Sequence, residues 1–321
     1  MIKDLLYRCG LLSALHRVRN RTNLTVPMFH RVLRHDDPAW RTANRAYTVS
    51  DRYFERCLAF FERHYHPIGL EALRRARRGE AALPVRPLLI TFDDGWLDNL
   101  EVAAPILAAH GIPATVFVAV APILEDGALW WQDVIDFART EGLLPEIRLG
   151  RAAPGGTGAE AHYALLDVFE RLPAALRRQI LEPIIRRYGA APRRQLLCPD
   201  QLDRLSAWGF EIGAHGFSHL PLTMLADPAG DLERARSWLD RQLGHARPLA
   251  FSFPHGRWSP MLVAMARSAG FDLIFTSEPT LTAGAATEEP LFGRVNMPPS
   301  ETASPCGTFR PERAAPWLFL R

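Results

Sequence analysis

Cysteine is scarce in this chain of 321 residues. There are four, at positions 9, 57, 198 and 306, and no two are spaced as a CxxC motif. That spacing excludes a thiolate metal knuckle and a dithiol redox centre. No disulfide framework is expected in so long a chain, and reduced thiols suit a cytoplasmic protein. Charge of one sign is lacking too: the net charge is only +3, so nothing demands a nucleic-acid partner and none is expected. No apolar run approaches the roughly 20 residues that span a bilayer. The opening stretch, MIKDLLYRCGLLSALHRVRN, has neither a continuous apolar region nor a small-residue cleavage site. Export by the general secretory route is therefore not expected. Internal repeats and low-complexity tracts are also absent.

What remains is an ordinary globular composition, 48% hydrophobic and 23% charged, with ample material for a large core. Short apolar runs at 24–29, 87–92, 114–120, 210–214, 248–253, 271–276 and, more weakly, 291–296 read as strands. Helical patterns lie between them, at 51–64, 69–78, 98–110, 130–141, 199–208, 228–244 and 259–269, with a longer one at 161–188 broken at Pro173 and Pro183. Asp51, Asp98, Asp200 and Ser259 stand near helix starts as caps, and Gly111 and Gly270 where helices stop. Strand–helix alternation implies parallel strands with helical crossovers. The fold class is thus α/β, and seven or so strand–helix units can close into a barrel, with a doubly wound open sheet as the runner-up. Residues 24–321 read as one domain, preceded by a basic helical segment over 1–23. Between about 125 and 198 no strand is evident, and 153–160 (APGGTGAE) reads as a loop. This region is expected to be a mainly helical insertion over one end of the barrel.

Four segments carry chemistry. In LLITFDDG, residues 88–95, an apolar strand runs into two carboxylates and a glycine. In extended backbone Asp93 and Asp94 face opposite sides and can serve different partners; a cap and a turn acid are the plain alternative. In GAHGFSH, His215 and His219 are spaced i, i+4 and can bind one metal from a single helical turn; surface or capping histidines are the alternative. One Asp and two His together make a three-ligand set with an open position for water, as hydrolytic zinc requires. The same set suits Fe(II), so the ligands alone leave a metal oxidoreductase open. In AFSFPHG, residues 250–256, a strand ends in Pro254 and a turn that can offer a backbone N–H to an oxyanion. In VPMFHRV, His30 ends the first strand. Local sequence favours a core histidine there. Position favours a site, because Asp93, Asp94, His215, His255 and His30 all fall at the C-terminal ends of parallel strands, where barrel active sites form.

With these residues in view, the chain resembles the polysaccharide deacetylase family, the NodB-homology group also called carbohydrate esterase family four. TFDDG (91–95) is the family's first motif as it stands. HGFSH (215–219) matches its H-[ST]-x-x-H motif in spacing and in both histidines, with Gly216 in place of Ser or Thr. The resemblance spans about 24–124 and 199–297. The stretch from Tyr47 to Gly95 is similar to the poly-N-acetylglucosamine deacetylases, whose motifs are circularly permuted and whose general acid is a histidine near the N-terminus. MFHRV places His30 there. Two departures stand out. Where the family's RxPY motif supplies an Arg that orients the base, this chain has Ser252, and His255 replaces the Tyr. Arg294 in FGRVNM could bring the missing cation from another strand.

The resemblance implies a NodB-type fold, a distorted barrel of seven or eight strand–helix units, and a metal-dependent hydrolase acting on acetylated amino sugars of a polysaccharide or its lipid-linked precursor. It implies that Asp94, His215 and His219 bind one divalent ion, with Zn²⁺ the first candidate. Asp93 would be the general base, His30 the general acid and the His255 backbone N–H an oxyanion donor. A non-catalytic carbohydrate-binding protein on the same fold, and an O-deacetylase, are the alternatives. Residues 1–21 hold five Lys or Arg and one Asp, with Ile2, Leu5, Leu6, Cys9 and Leu12 as a partial apolar stripe. This gives an expectation of peripheral contact with an anionic membrane, at its inner surface, against a plain alternative in which the stripe packs on the barrel.

Overall fold

Short strands separated by helical crossovers can pair only in parallel, and the central sheet forms that way. The computed structural model describes residues 2–125, 129–147, 158–188, 194–244, 249–283 and 291–321. Eight strands make the sheet: β1 (Pro27–Phe29), β2 (Ile90–Asp94), β3 (Ala114–Val118), β4 (Phe210–Ala214), β5 (Leu249–Ser252), β6 (Phe271–Phe275), β7 (Leu291–Phe292) and β8 (Val295–Asn296). Their order is β7-β6-β5-β4-β3-β2-β1-β8, and every ladder is parallel. Strands advance one way around the sheet without the reversal of a doubly wound fold. This is the distorted barrel expected from the alternation and the resemblance. β7 and β8, its two edges, are joined through Gly293 and Arg294 rather than by a ladder among the described residues. The 291–296 run is therefore two short strands, not one.

Both faces of a barrel strand are covered, so β2 and β3 are buried at every residue. Phe117, Leu273, Phe275 and Phe292 pack in one cluster; Ile90, Phe92, Val116 and Val118 belong to the larger one shared with the helices. Register levels the strand ends: Asp94 pairs with Val118, Val118 with Ala214, and Ala214 with Phe251. The residues that follow these positions leave the sheet at one height and share one mouth.

Beyond the sheet, the helices mostly stand where the periodicity puts them, with corrections at their ends. Ser50 rather than Asp51 caps the helix Asp51–His64, its hydroxyl accepting from Tyr53 N at 3.1 Å. Asp98 does not cap; its carboxylate is taken by Arg31 and by the amide of Val32. Cys198, not Asp200, occupies the cap position of Pro199–Ala207. The long helical pattern breaks at Pro173, but Ala174–Tyr188 runs through Pro183. A C-terminal helix, Pro311–Phe319, was hidden by its own prolines. In the insertion, helices Trp131–Thr140 and Ala159–Glu170 lie over the C-terminal ends of the strands, and Ala174–Tyr188 packs against the first of them; residues 153–157 of the expected loop lie outside the described residues. No described helix is long and apolar enough to cross a membrane. The expected N-terminal stripe is split: Leu12 is buried and Leu6 half-buried, Leu5 and Cys9 are exposed, and the side chain of Ile2 is outside the described residues.

Gly213, in β4, shows how tightly the barrel is filled beneath the site. A Cβ there would sit 2.6 Å from the Phe117 ring and 2.8 Å from the Ala250 carbonyl. Neither the ring nor the strand backbone can yield freely, so Gly213→Ala is expected to cost about 1–3 kcal/mol by overpacking. The check is a thermal melt, in which the variant should unfold several degrees below the parent.

Candidate metal centre and active site

The chain leaves β2 by an unusual route. Asp94 has φ 77° and Gly95 φ 86°, both left-handed. That bend, rather than strand alternation, decides where the two carboxylates go. They serve different partners, as their adjacency predicts, but both line one cleft. Thr91 and Asp93, two apart on the strand, point to the same side, where Arg294 touches both.

The second segment also departs from expectation. Residues 215–219 form a loop, not a helical turn. Gly216 sits at φ 74°, a conformation open to glycine and strained for the Ser or Thr of the motif. Asp231, from the following helix, holds the loop by accepting from Phe217 N at 2.7 Å and Ser218 N at 3.0 Å. His219 then turns back at φ 62°.

These bends bring Asp94, His215 and His219 together, all buried, with ligand atoms within 4.8 Å of one another. His219 Nε2 lies 3.1 Å and His215 Nε2 3.5 Å from Asp94 Oδ1. Ligand atoms about 2 Å from a tetrahedral ion stand about 3.3 Å apart, so the spacing suits one small divalent cation. The chemistry of the donors fits as well. Burial lowers the His215 pKa to about 4, keeping the imidazole neutral as a ligand must be. Burial also works against the Asp94 carboxylate, but the hydrogen bond and charge of His219 outweigh it and hold Asp94 ionised.

Each of the three is anchored at its far atom. Trp96 Nε1 donates to Asp94 Oδ2 at 2.8 Å. His215 Nδ1 donates to the Ser252 carbonyl at 2.9 Å. His219 Nδ1 donates to Gln132 Oε1 at 2.7 Å, while Gln132 Nε2 donates to the Ser218 carbonyl at 3.3 Å. Both histidines are thereby fixed in the tautomer that presents Nε2.

Asp93 has a different partner. Arg294 grips it in a fork, Nη1 to Oδ1 at 2.6 Å and Nη2 to Oδ2 at 2.7 Å. Burial alone would raise the Asp93 pKa; Arg294 and then His215 reverse this and hold it below the ordinary carboxylate range. Arg294 also donates to Thr276 O, Thr91 Oγ1 and Ser252 Oγ. Ser252, found where the family carries an arginine, is therefore what receives this one. The cation that sequence offered from FGRVNM is in place.

His30 lines the same cleft at the end of β1, its ring 4.6 Å from that of Tyr47 and its buried Nδ1 without a partner among the described residues. His255 is there too, but occupied. Its Nε2 lies 3.0 Å from the His219 carbonyl and its ring packs on Tyr163 at 5.0 Å. Burial and the neighbouring His219 hold it neutral, well below the usual histidine range. Five groups named from sequence thus meet in one cleft of about 180 Å³ with His30. Sequence reasoning missed the wall supplied by the insertion: Trp130, Gln132, Asp133, Asp136 and Tyr163. Its one signal was WWQD at a helix start, directly where the insertion meets the barrel.

Comparison with known proteins agrees. The family model described as polysaccharide deacetylase matches residues 81–143 and 155–274, more than half of the 321-residue chain. The match includes Asp93, Asp94, His215, His219 and His255 and leaves out His30 and Arg294. No curated protein matches significantly. Among solved structures, the chain is similar to the Streptococcus pyogenes deacetylase PplD in complex with acetate, at 16% identity and TM-score 0.59, covering 93% of this chain and 99% of that one. IcaB from Ammonifex degensii gives 20% identity and TM-score 0.57, with 93% and 97% covered. The BpsB deacetylase domain from Bordetella bronchiseptica gives 18% and 0.54, with 86% and 96% covered. At these identities the likeness is one of fold, and it is the barrel that they share. The enzyme is a carbohydrate deacetylase acting on polysaccharide, and the chain belongs to the polysaccharide deacetylase family.

Proposed function

We propose that this enzyme hydrolyses N-acetyl groups from amino sugars of a polysaccharide or its lipid-linked precursor, using one divalent ion, Zn²⁺ in the first instance, held by Asp94, His215 and His219. The observation that carries the reading is the juxtaposition of a three-ligand set with a separate, Arg-paired carboxylate. One group of side chains is neutral or anchored for a metal, and the other is kept ionised for proton transfer. When bound, the ion would polarise the acetyl carbonyl and acidify water.

The chain's own residues supply the rest. Asp93 accepts the proton of the water that attacks the carbonyl carbon. Arg294 fixes the carboxylate and keeps it charged at working pH. The His255 backbone N–H faces the oxygen as charge develops on it. His30, just past the end of β1 and so beside β2, gives its proton to the departing nitrogen as the C–N bond breaks, and the products are acetate and a free amino sugar. That order of motifs, acid first, supports the permuted poly-N-acetylglucosamine deacetylase branch. The aromatic faces of Tyr47, Trp130 and Tyr163 make the cleft a site for a sugar ring with a few oriented polar groups.

Three outcomes test this. Asp94→Ala should lose both ion and turnover, measured as metal per chain and acetate released, whereas Asp93→Asn should keep the ion and lose about 10²–10⁴-fold in rate. Metal loss in Asp93→Asn with retention in Asp94→Asn would exchange their roles.

The acid is tested by leaving group. His30→Ala should lose most turnover on an acetamide and far less on an activated acetate ester, which needs no proton. His255→Ala should be milder on both, since its ring is engaged with His219 and Tyr163. An amide-selective loss in His255→Ala alone would move the acid to His255. Retained selectivity for O-acetyl substrates in the parent would favour O-deacetylation.

Gln132 gives the third. Gln132→Ala should weaken ion binding about 10–100-fold, as loss of a ligand-orienting partner does, read by chelator competition. Gln132→Glu, which still accepts from Nδ1, should restore it.

A further inference from the structure

The second N-terminal helix, Leu11–Arg19, inverts the usual pattern of a surface helix. On Leu11–Arg19 the inward side carries Ser13 and His16 beside Leu12, and Asn20 follows it into the core. His16 stacks on Phe319 at 4.0 Å, and Asn20 donates to the Phe319 carbonyl at 2.9 Å. The outward side carries Leu11, Ala14, Leu15 and Val18, at the i, i+3, i+4, i+7 spacing of one helix face. Leu11 is 57%, Leu15 44% and Val18 79% exposed, and Leu5 of the preceding helix, Ile2–Arg8, is 66% exposed. Four of the eleven large apolar side chains exposed among the described residues thus fall within fourteen positions. This is not the partial stripe that spacing suggested, since Leu6 and Leu12 turn inward.

Charge says what the face meets. Arg8, Arg17 and Arg19 are exposed beside it. The segment 1–21 sums to +4 by residue count. A second copy of the chain would bring these arginines against their equivalents across a two-fold axis. An anionic surface would not. We propose that this face seats on an anionic lipid bilayer, with Leu5, Leu11, Leu15 and Val18 at the headgroup boundary and the arginines on lipid phosphates. The contact lies away from the cleft. His16 touches the carbonyl of His64, where the helix from Ser50 ends and His66 pairs with Pro87 at the start of the β2 segment. The site, by contrast, is at the strands' far ends. A seated enzyme therefore holds its cleft open to the aqueous side.

The experiment is co-sedimentation of the full chain with phosphatidylcholine vesicles, with and without phosphatidylglycerol. It needs neither ion nor substrate, so it stands apart from the metal reading. Deleting 1–21 is unsuitable, because Leu12, His16 and Asn20 are core. Two double variants change exposed side chains: Leu15→Ser with Val18→Ser, and Arg17→Ala with Arg19→Ala, the latter also removing the hydrogen bond of Arg19 to the Arg321 carbonyl. Thermal melts and turnover of a soluble substrate confirm that each is folded. The parent should bind only the phosphatidylglycerol vesicles, less so with added salt. The arginine pair should lose roughly 25-fold in partitioning, about fivefold per cation, and the apolar pair at least roughly tenfold. Absent binding, equal binding to neutral vesicles, or unchanged binding by either variant overturns the proposal. So does a parent dimer in solution that the apolar double variant makes monomeric.

Discussion

The buried pair of Asp93 and Arg294 is the constraint around which the site is arranged. Two charges this deep are tolerable only when every remaining donor and lone pair finds a partner, and removal of either leaves the other stranded. All five guanidinium N–H groups are placed: two on Asp93, and one each on Thr276, Thr91 and Ser252. The small serine in β5 follows from that requirement. A second arginine there would have no room and no counter-charge. The pair therefore accounts for the departure at Ser252 from the family's motif, with the cation coming from Arg294 as the sequence suggested. Its partner residues lie on β2, β5 and the loops beside β6 and β7, so the ion pair ties the sheet across its interior.

The cluster of Asp94, His215 and His219 relies on backbone bends as well as on charge. Asp94, His219 and His255 all adopt left-handed φ, which costs residues with a Cβ energy that the surroundings must hold. The holders can be named. Trp96 fixes Asp94, Asp231 grips the loop ahead of His219, and the His219 carbonyl meets His255. Glycines at 95, 216 and 256 take the adjoining bends. Asp94, His215 and His219 are each anchored at their far atoms, which leaves their near atoms facing one another.

Much of this was legible because it is local. An apolar strand ending in DDG, and two histidines after another strand, locate the Asp94, His215 and His219 cluster once parallel strands are level. His30 was found by position rather than by its neighbours. What escaped was whatever depends on a distant segment. Gln132 reaches His219 across 87 residues, and nothing in WWQD marks a glutamine as a tautomer clamp. The loop shape at 215–219 was misread because i, i+4 spacing fits a helical turn; the left-handed glycine and the Asp231 clamp, thirteen residues on, decide otherwise. The proline-bearing C-terminal helix was missed because its stability comes from packing on Phe60 and His16, not from propensity. Arg294 lay between: suspected from its charge, fixed only by the closing turn of the sheet.

That closing turn has a temporal meaning. Asp93 and Arg294 are 201 residues apart in the chain, and β8 must dock beside β1 before they meet. Such long-range pairings close late and slowly, because their loop entropy is met before any contact rewards it. A chain cut short of residue 294 lacks both β8 and the partner of Asp93, and leaves that buried carboxylate unpaired. The last strand to join the sheet is thus also the one that completes the ion pair at its centre.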